Sequence, residues 1–217
     1  MRYCCQIDEL AHAAGRDPYE FRMSLLQEQR KIHAVMWPDN PPLDTAKFRS
    51  VLALAAQKSG WGKPLPPRHG RGIACHFSFG SYIAHVAEVS VDKNGNVQVD
   101  RIVSAVNCGT AVNPDGVRAM TEGAINYALT PVLTGEITIK NGAVEQSNFH
   151  DYQVLRISSA PEVEVHIVPS SDDPAGMGEP GVPPLAPAVA NAVFNATGVR
   201  IRRLPSRDES PGRGGRF

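Results

Sequence analysis

Apolar positions recur along this chain with a period that changes from helical to extended near residue 65. In residues 4–14, Ile7, Leu10, Ala11 and Ala14 follow the three-to-four spacing of an amphipathic helix, and Gly15 follows as a natural stop. Asp17-Pro18-Tyr19-Glu20 reads as a second helix start. An Asp caps, a proline sits where the first turn needs no N–H, and a Glu reaches back to the cap. Phe21, Leu25 and Leu26 supply its apolar face. Three prolines between Met36 and Leu43 mark a linker. Thr45 is expected to cap a third helix, with Phe48, Val51, Leu52 and Ala55 on one side and Gly60 beyond its end.

After the proline-rich break at 64–67 the period becomes two. Ile83, His85, Ala87, Val89 and Val91 alternate with Ala84, Val86, Glu88 and Ser90. Asn94-Gly95 is a hairpin signal, and residues 97–106 return as a second strand. The loop Asn107 to Pro114 leads into a helix over 115–130. Residues 137–140 and 143–146 flank a second Asn-Gly turn, and 162–168 form a strand. A Gly/Pro loop spans 170–187, a helix 188–197 ends at Gly198, and 199–204 are expected to form a last strand. The fold class is α+β, mixed β-sheets with packed helices. The expected organisation is a helical segment over 1–62, an α+β domain over 63–205, and a polar, disordered tail over 206–217.

Composition narrows the function classes. Of 217 residues, 42% are hydrophobic and 20% charged, which suits a packed core. Lys+Arg and Asp+Glu are 22 each, so no net field steers the chain to nucleic acid or an acidic membrane. No apolar run approaches the roughly 18 residues of a membrane span. The start Met1-Arg2-Tyr3-Cys4-Cys5 shows no secretion signal. Cys4, Cys5, Cys75 and Cys108 form no CxxC pair and no His stands at finger spacing, which argues against zinc. Reduced thiols are expected, with a Cys75–Cys108 disulfide left open.

The chemistry concentrates in Ala175-Gly176-Met177-Gly178-Glu179-Pro180-Gly181-Val182-Pro183-Pro184. Its glycines formally match G-x-G-x-x-G, but a dinucleotide site needs them between a strand end and a helix start. Here five residues, Ser170 to Pro174, separate strand from glycine, and Arg200, Arg202 and Arg203 stand where an acidic ribose ligand belongs. The alternative is a rigid shelf holding one carboxylate. Pro180 restricts Glu179 to extended conformations, and a fixed carboxylate suits a general base. Spacing alone leaves this reading level with a solvated loop carrying an incidental Glu. His76, His85 and the His150-Asp151-Tyr152 run read as hydrogen-bonded structural groups, since no Ser or Cys nucleophile accompanies them.

The run Gly176 to Pro205 resembles the C-terminal end of the molybdenum hydroxylase large subunit, the xanthine dehydrogenase/aldehyde oxidase family of isoquinoline 1-oxidoreductase type. Gly80-Ser81-Tyr82-Ile83-Ala84-His85-Val86-Ala87-Glu88-Val89, Val106 to Pro114, Gly135 to Thr138, Gln146 to Tyr152 and Ile7 to Pro18 fit the same pattern in order. The resemblance implies the second molybdopterin-binding region of that fold, with Glu179 as base. It also implies that Gly176, Gly178, Gly109 and Asn113 contact a molybdopterin cofactor, in its cytosine dinucleotide form with molybdenum, and that no metal ligand comes from this chain. The implied reaction is hydroxylation of an aldehyde or N-heterocycle with water as oxygen source. Electrons would leave through iron–sulfur clusters on a [2Fe-2S] small subunit.

Two departures stand out. Met120 occupies the position of a cofactor-holding Gln, and the upstream part of the large subunit, with its Gly-Gln-Gly loop, is absent from this sequence. The chain is thus expected to need that upstream part as a partner and to be inactive alone. The alternative is a non-catalytic truncated remnant or assembly module that binds a partner chain. On the enzymatic reading the loops 107–114 and 170–187 serve one ligand from one side.

Overall fold

In a computed structural model, residues 2–33 and 42–206 are described, with side chains from Cys4 onward. Most of the expected linker at 36–43, and tail residues 207–217, lie outside the described residues. Helix α1 (Arg2–Ala13) is followed by α2 (Pro18–Leu25), short strands β1 (Lys31–Ile32) and β2 (Leu43–Asp44), and α3 (Thr45–Ser59). The main strands are β3 (His69–Ser78), β4 (Ser81–Val91) and β5 (Val97–Asn107). Then come α4 (Pro114–Leu133), a small hairpin β6 (Ile139–Lys140) and β7 (Ala143–Val144), β8 (Glu162–Ile167) and α5 (Leu185–Thr197). Among the described residues no helix is long and apolar enough to cross a membrane.

Caps explain the helix starts. Asp17 Oδ1 accepts from Tyr19 N at 2.9 Å and Glu20 N at 3.0 Å, as the sequence suggests. At α3 the cap is Asp44 and not the expected Thr45; Asp44 Oδ1 accepts from Ala46 N at 2.9 Å. The Thr45 hydroxyl instead donates to Glu28 O at 2.7 Å and accepts from Arg30 N at 2.9 Å, tying α3 to the preceding chain. Helix α5 begins at Leu185, ahead of the expected 188, because Pro187 falls in its first turn, where a missing N–H is harmless.

The sheet has the order β3-β4-β5-β8, with the first three strands antiparallel and β8 parallel to β5. The parallel pairing requires a crossover, made by α4 and residues 134–161. One face is covered by α5 and α4, which bury Leu185, Val189, Val193, Ile125 and Leu129 against Ala74, Ala87, Val89 and Ile102. The other face carries α3, whose Val51, Leu52 and Ala55 pack on Ile73, Val86 and Val103. The helix before residue 62 therefore shares a core with the sheet.

Strand β3 was not expected from the sequence pattern, and its glycines are the reason. Gly70, Gly72 and Ala74 face α5, so the stripe looks empty of apolar side chains. A Cβ at Gly72 would stand 2.2 Å from both Ala188 O and Ala192 N. Helix and strand thus meet backbone to backbone. The expected strand at 199–204 does not form. Its alternating arginines reach acids on α1: Arg200 Nη1 lies 2.7 Å from Asp8 Oδ2 and Arg202 Nη1 2.7 Å from Glu9 Oε1. The four cysteines are all free, so the Cys75–Cys108 option is not taken.

Gly72→Ala should lower the unfolding free energy by more than about 3 kcal/mol, because only backbone can move aside. Gly123→Ala, whose added Cβ meets nothing within 4 Å on α4, should be neutral or stabilising by up to about 1 kcal/mol. Denaturant titration of both variants checks this, and equal effects would contradict it. A second stability test concerns His85 on β4. Burial pushes its imidazole from 6.5 down to about 4, only partly opposed by the hydrogen bond to the Gly181 carbonyl. The unfolded chain takes up this proton near 6.5 and the folded chain only near 4. The stabilisation is therefore complete above 6.5 and fades as pH falls toward 4, by roughly 3 kcal/mol in all. His85→Gln should flatten the decline in unfolding free energy between neutral pH and about pH 4.5.

Candidate functional site

The site begins where β5 ends. Asn107 Oδ1 accepts from Gly109 N at 3.2 Å and bends the chain out of the sheet. Thr110 then clasps the second loop: its N and Oγ1 both donate to Asp172 O, each at 2.8 Å. Ala175 N donates to Cys108 O at 2.9 Å, and Gly176 N donates to Phe79 O at 3.0 Å. The loops 107–114 and 170–187 are therefore joined to each other and to the β3–β4 turn.

The glycines divide into two kinds. A Cβ at Gly109, where φ is +70°, would stand 2.0 Å from Asp173 O, and one at Gly176 would stand 2.9 Å from Phe79 Cβ. Both are required by loop packing. A Cβ at Gly178 would meet only Met120 Cε, at 3.9 Å. Packing within the chain does not demand that glycine, so its bareness is free to serve a ligand.

Glu179 opens a turn closed by Val182 N donating to Glu179 O at 2.9 Å. The carboxylate residue is exposed, while Pro180 and Gly181 behind it are buried. Gly181 is pressed on α4, with a would-be Cβ 2.9 Å from Ala124 Cβ. His85 Nε2 lies 2.8 Å from Gly181 O. A carbonyl oxygen only accepts, so Nε2 carries the proton and donates. The carboxylate thus projects from a turn whose next two residues are anchored in the core.

Two adjoining hollows flank α4. One, of about 430 Å³, is lined by Met120, Gly123, Tyr127, Gly178, Glu179 and Pro183 among others. The second, of about 270 Å³, is lined by Thr110, Asn113, Gly116, Met120, Ala175 and Met177 among others. Met120 belongs to both, so Glu179, Gly178 and Asn113 share one face. Gly109 and Gly176 line neither hollow; they hold the loops through their close approaches to Asp173 O and Phe79 Cβ. A cleft of about 470 Å³ elsewhere is lined by Asp8, His12, Trp61 and Asn191, and none of the sequence-derived candidates belongs to it.

The lining of the two hollows is mostly small and apolar, with Thr110 and Asn113 among its neutral polar side chains. Among the described residues, Glu179 is the only carboxylate lining either hollow. The nearby Asp172 carboxylate is turned into Lys47 Nζ at 2.8 Å and Ser170 Oγ at 2.8 Å; the Lys47 contact leads in holding it below the usual carboxylate range. Asn113 Oδ1 caps α4 by accepting from Gly116 N at 3.0 Å, which leaves its Nδ2–H for a ligand. Met120 offers no donor. Among the described residues no group of three or more His, Cys, Asp or Glu is placed to hold a metal ion.

Sequence reasoning named Glu179 and its neighbours but missed the His85 contact and the Thr110–Asp172 clasp. A signal for the first existed: His85 stands at an inward position of an otherwise apolar stripe, so it needed a buried partner. The clasp uses a backbone oxygen and has no sequence signal.

Comparison with known proteins bears on this arrangement. The family described as the molybdopterin cofactor-binding domain matches residues 22–161, a span that stops short of Glu179. The chain is 36% identical to a membrane-bound aldehyde dehydrogenase [pyrroloquinoline-quinone] of Gluconacetobacter polyoxogenes, over 94% of this chain and 27% of that protein. It is 34% identical to one of the subunits of nicotinate dehydrogenase from Pseudomonas putida, over 92% of this chain and 17% of that one. It is 32% identical to the beta subunit of isoquinoline 1-oxidoreductase from Brevundimonas diminuta, over 93% and 24%. The chain therefore spans about a sixth to a quarter of the length of these relatives. Its fold resembles quinoline 2-oxidoreductase from Pseudomonas putida 86, with a TM-score of 0.55 at 18% identity over 93% of this chain and 26% of that one. By sequence and by fold, the chain belongs to the molybdenum hydroxylases, and it corresponds to their molybdopterin-binding region.

Proposed function

We propose that this chain is the cofactor-gripping and base-bearing part of an oxidoreductase that hydroxylates an aldehyde or an N-heterocycle, with water as oxygen source. The observation that carries this reading is the isolation of Glu179. Among the described residues it is the one carboxylate lining the two hollows beside the joined loops, and it projects from a turn anchored in the core. When bound, the molybdenum cofactor supplies the oxygen transfer and takes up the two electrons. Glu179 supplies a place for the proton lost by the attacking oxygen, at a carboxylate oxygen held close by its turn.

Gly178 lets the backbone approach the cofactor without a side chain between. Asn113 offers Nδ2–H, while Gly109 and Gly176 set the loops that present both. Met120 contributes apolar contact where a donor would strengthen the hold, so the grip rests on backbone and Asn113. We assign the cofactor to the cytosine dinucleotide form. Electron exit is assigned to iron–sulfur clusters on a [2Fe-2S] partner subunit, and the other wall of the site to the upstream part of the large subunit.

A second reading, a non-catalytic remnant or assembly module, is favoured by Met120 alone. Metal content separates the two. In the complete assembly, molybdenum near one per subunit is expected, and its absence would favour the remnant. Release of an organic quinone in place of molybdopterin, as one relative's name would suggest, would contradict the cofactor assignment.

Glu179→Gln in the complete assembly should lower turnover by about 10²–10⁴ while leaving molybdenum content unchanged. Steady-state kinetics beside metal analysis reads both. Turnover equal to wild type would remove Glu179 from the mechanism.

A further inference from the structure

We infer that His85 is a positioning residue for the catalytic carboxylate: through Gly181 it fixes where Glu179 stands. This rests on the reading of Glu179 as base. Three of the four restraints on the turn are steric or local. Pro180 limits the conformation of Glu179, Val182 N closes the turn on Glu179 O at 2.9 Å, and Gly181 is wedged against Ala124. The fourth comes from the sheet. His85 is wholly buried on β4, and its Nε2–H donates to Gly181 O at 2.8 Å, two residues beyond Glu179.

The surroundings make this bond matter. On the neighbouring strands His85 faces Ala74 of β3 and Ser104 of β5, small residues that leave room for the ring and bring no charge. The imidazole is neutral at working pH because burial disfavours its cation. Its one proton sits on Nε2, because Gly181 O only accepts and Nδ1 has no partner, so the donor points at the turn. Gly181 is buried, so its carbonyl has no easy recourse to water. Without the histidine donor that oxygen is left unsatisfied, and the turn gains by shifting outward to hydrate it. The shift would carry Glu179 with it. A displacement of about 1 Å at a reacting group can cost a factor near 10² in rate.

The test uses the complete, molybdenum-loaded assembly. His85→Leu fills much of the same volume without a donor. Its kcat should fall about tenfold to hundredfold, with KM and molybdenum content unchanged. His85→Gln places an amide N–H near the lost Nε2–H and should recover most of that loss. In a Glu179→Gln background, His85→Leu should cause no further fall, because the residue it positions is already gone. Should the leucine variant fail to assemble, His85→Asn is read instead. Its amide is too short to reach Gly181, and the same fall in kcat is expected. Wild-type kcat in a fully loaded leucine or asparagine variant would overturn the inference, as would an equal fall in both backgrounds. Full turnover in Glu179→Gln alone would sink the base assignment instead, whatever His85 does.

Discussion

Helix α5 lies directly on the backbone of β3, and it can do so only because Gly70 and Gly72 present no side chains there. The rest of the arrangement depends on that approach. It sets the height of α5 above the sheet and thereby the point where the chain enters the helix, at Pro184 and Leu185. The turn at Glu179–Val182 immediately precedes that entry. With α5 down, Gly181 reaches both Ala124 on α4 and His85 on β4. A wider helix–strand spacing would lift the turn off both partners.

The same closeness decides the character of the candidate site. Because the loops are clasped through backbone atoms, the side chains lining the two hollows are mostly small or apolar, and among the described residues Glu179 is the one carboxylate in that lining. The Asp172 carboxylate is drawn off by Lys47. That leaves Glu179 without a competing carboxylate on the face it shares with Asn113. The face presents two hollows that share Met120, on a chain that spans about a sixth to a quarter of its relatives' length.

Much of this was legible in the sequence where local chemistry decides the outcome. Asp17-Pro18 announces α2 through its cap, and the Asn141-Gly142 turn shows the positive φ angles of 52° and 80° that its residues favour. Glu179 stood out because prolines and glycines around a lone carboxylate are unusual. What stayed hidden depends on contacts between distant segments. Strand β3 could not be read because Gly72 faces a helix more than a hundred residues onward. The alternation at 199–204 suggested a strand, yet Arg200 and Arg202 are spaced for Asp8 and Glu9 on α1. The role of His85 required knowing that Gly181 lies beside it.

The central claim is that loops 107–114 and 170–187 form one face for one cofactor, with Glu179 directed at its reactive end. The most direct measurement is an experimental structure of the complete, cofactor-loaded enzyme. The account predicts cofactor density touching both Gly178 and the 110–113 segment, with the Glu179 carboxylate toward the metal. A cofactor seated away from either loop, or a Glu179 carboxylate turned from the metal, would contradict it.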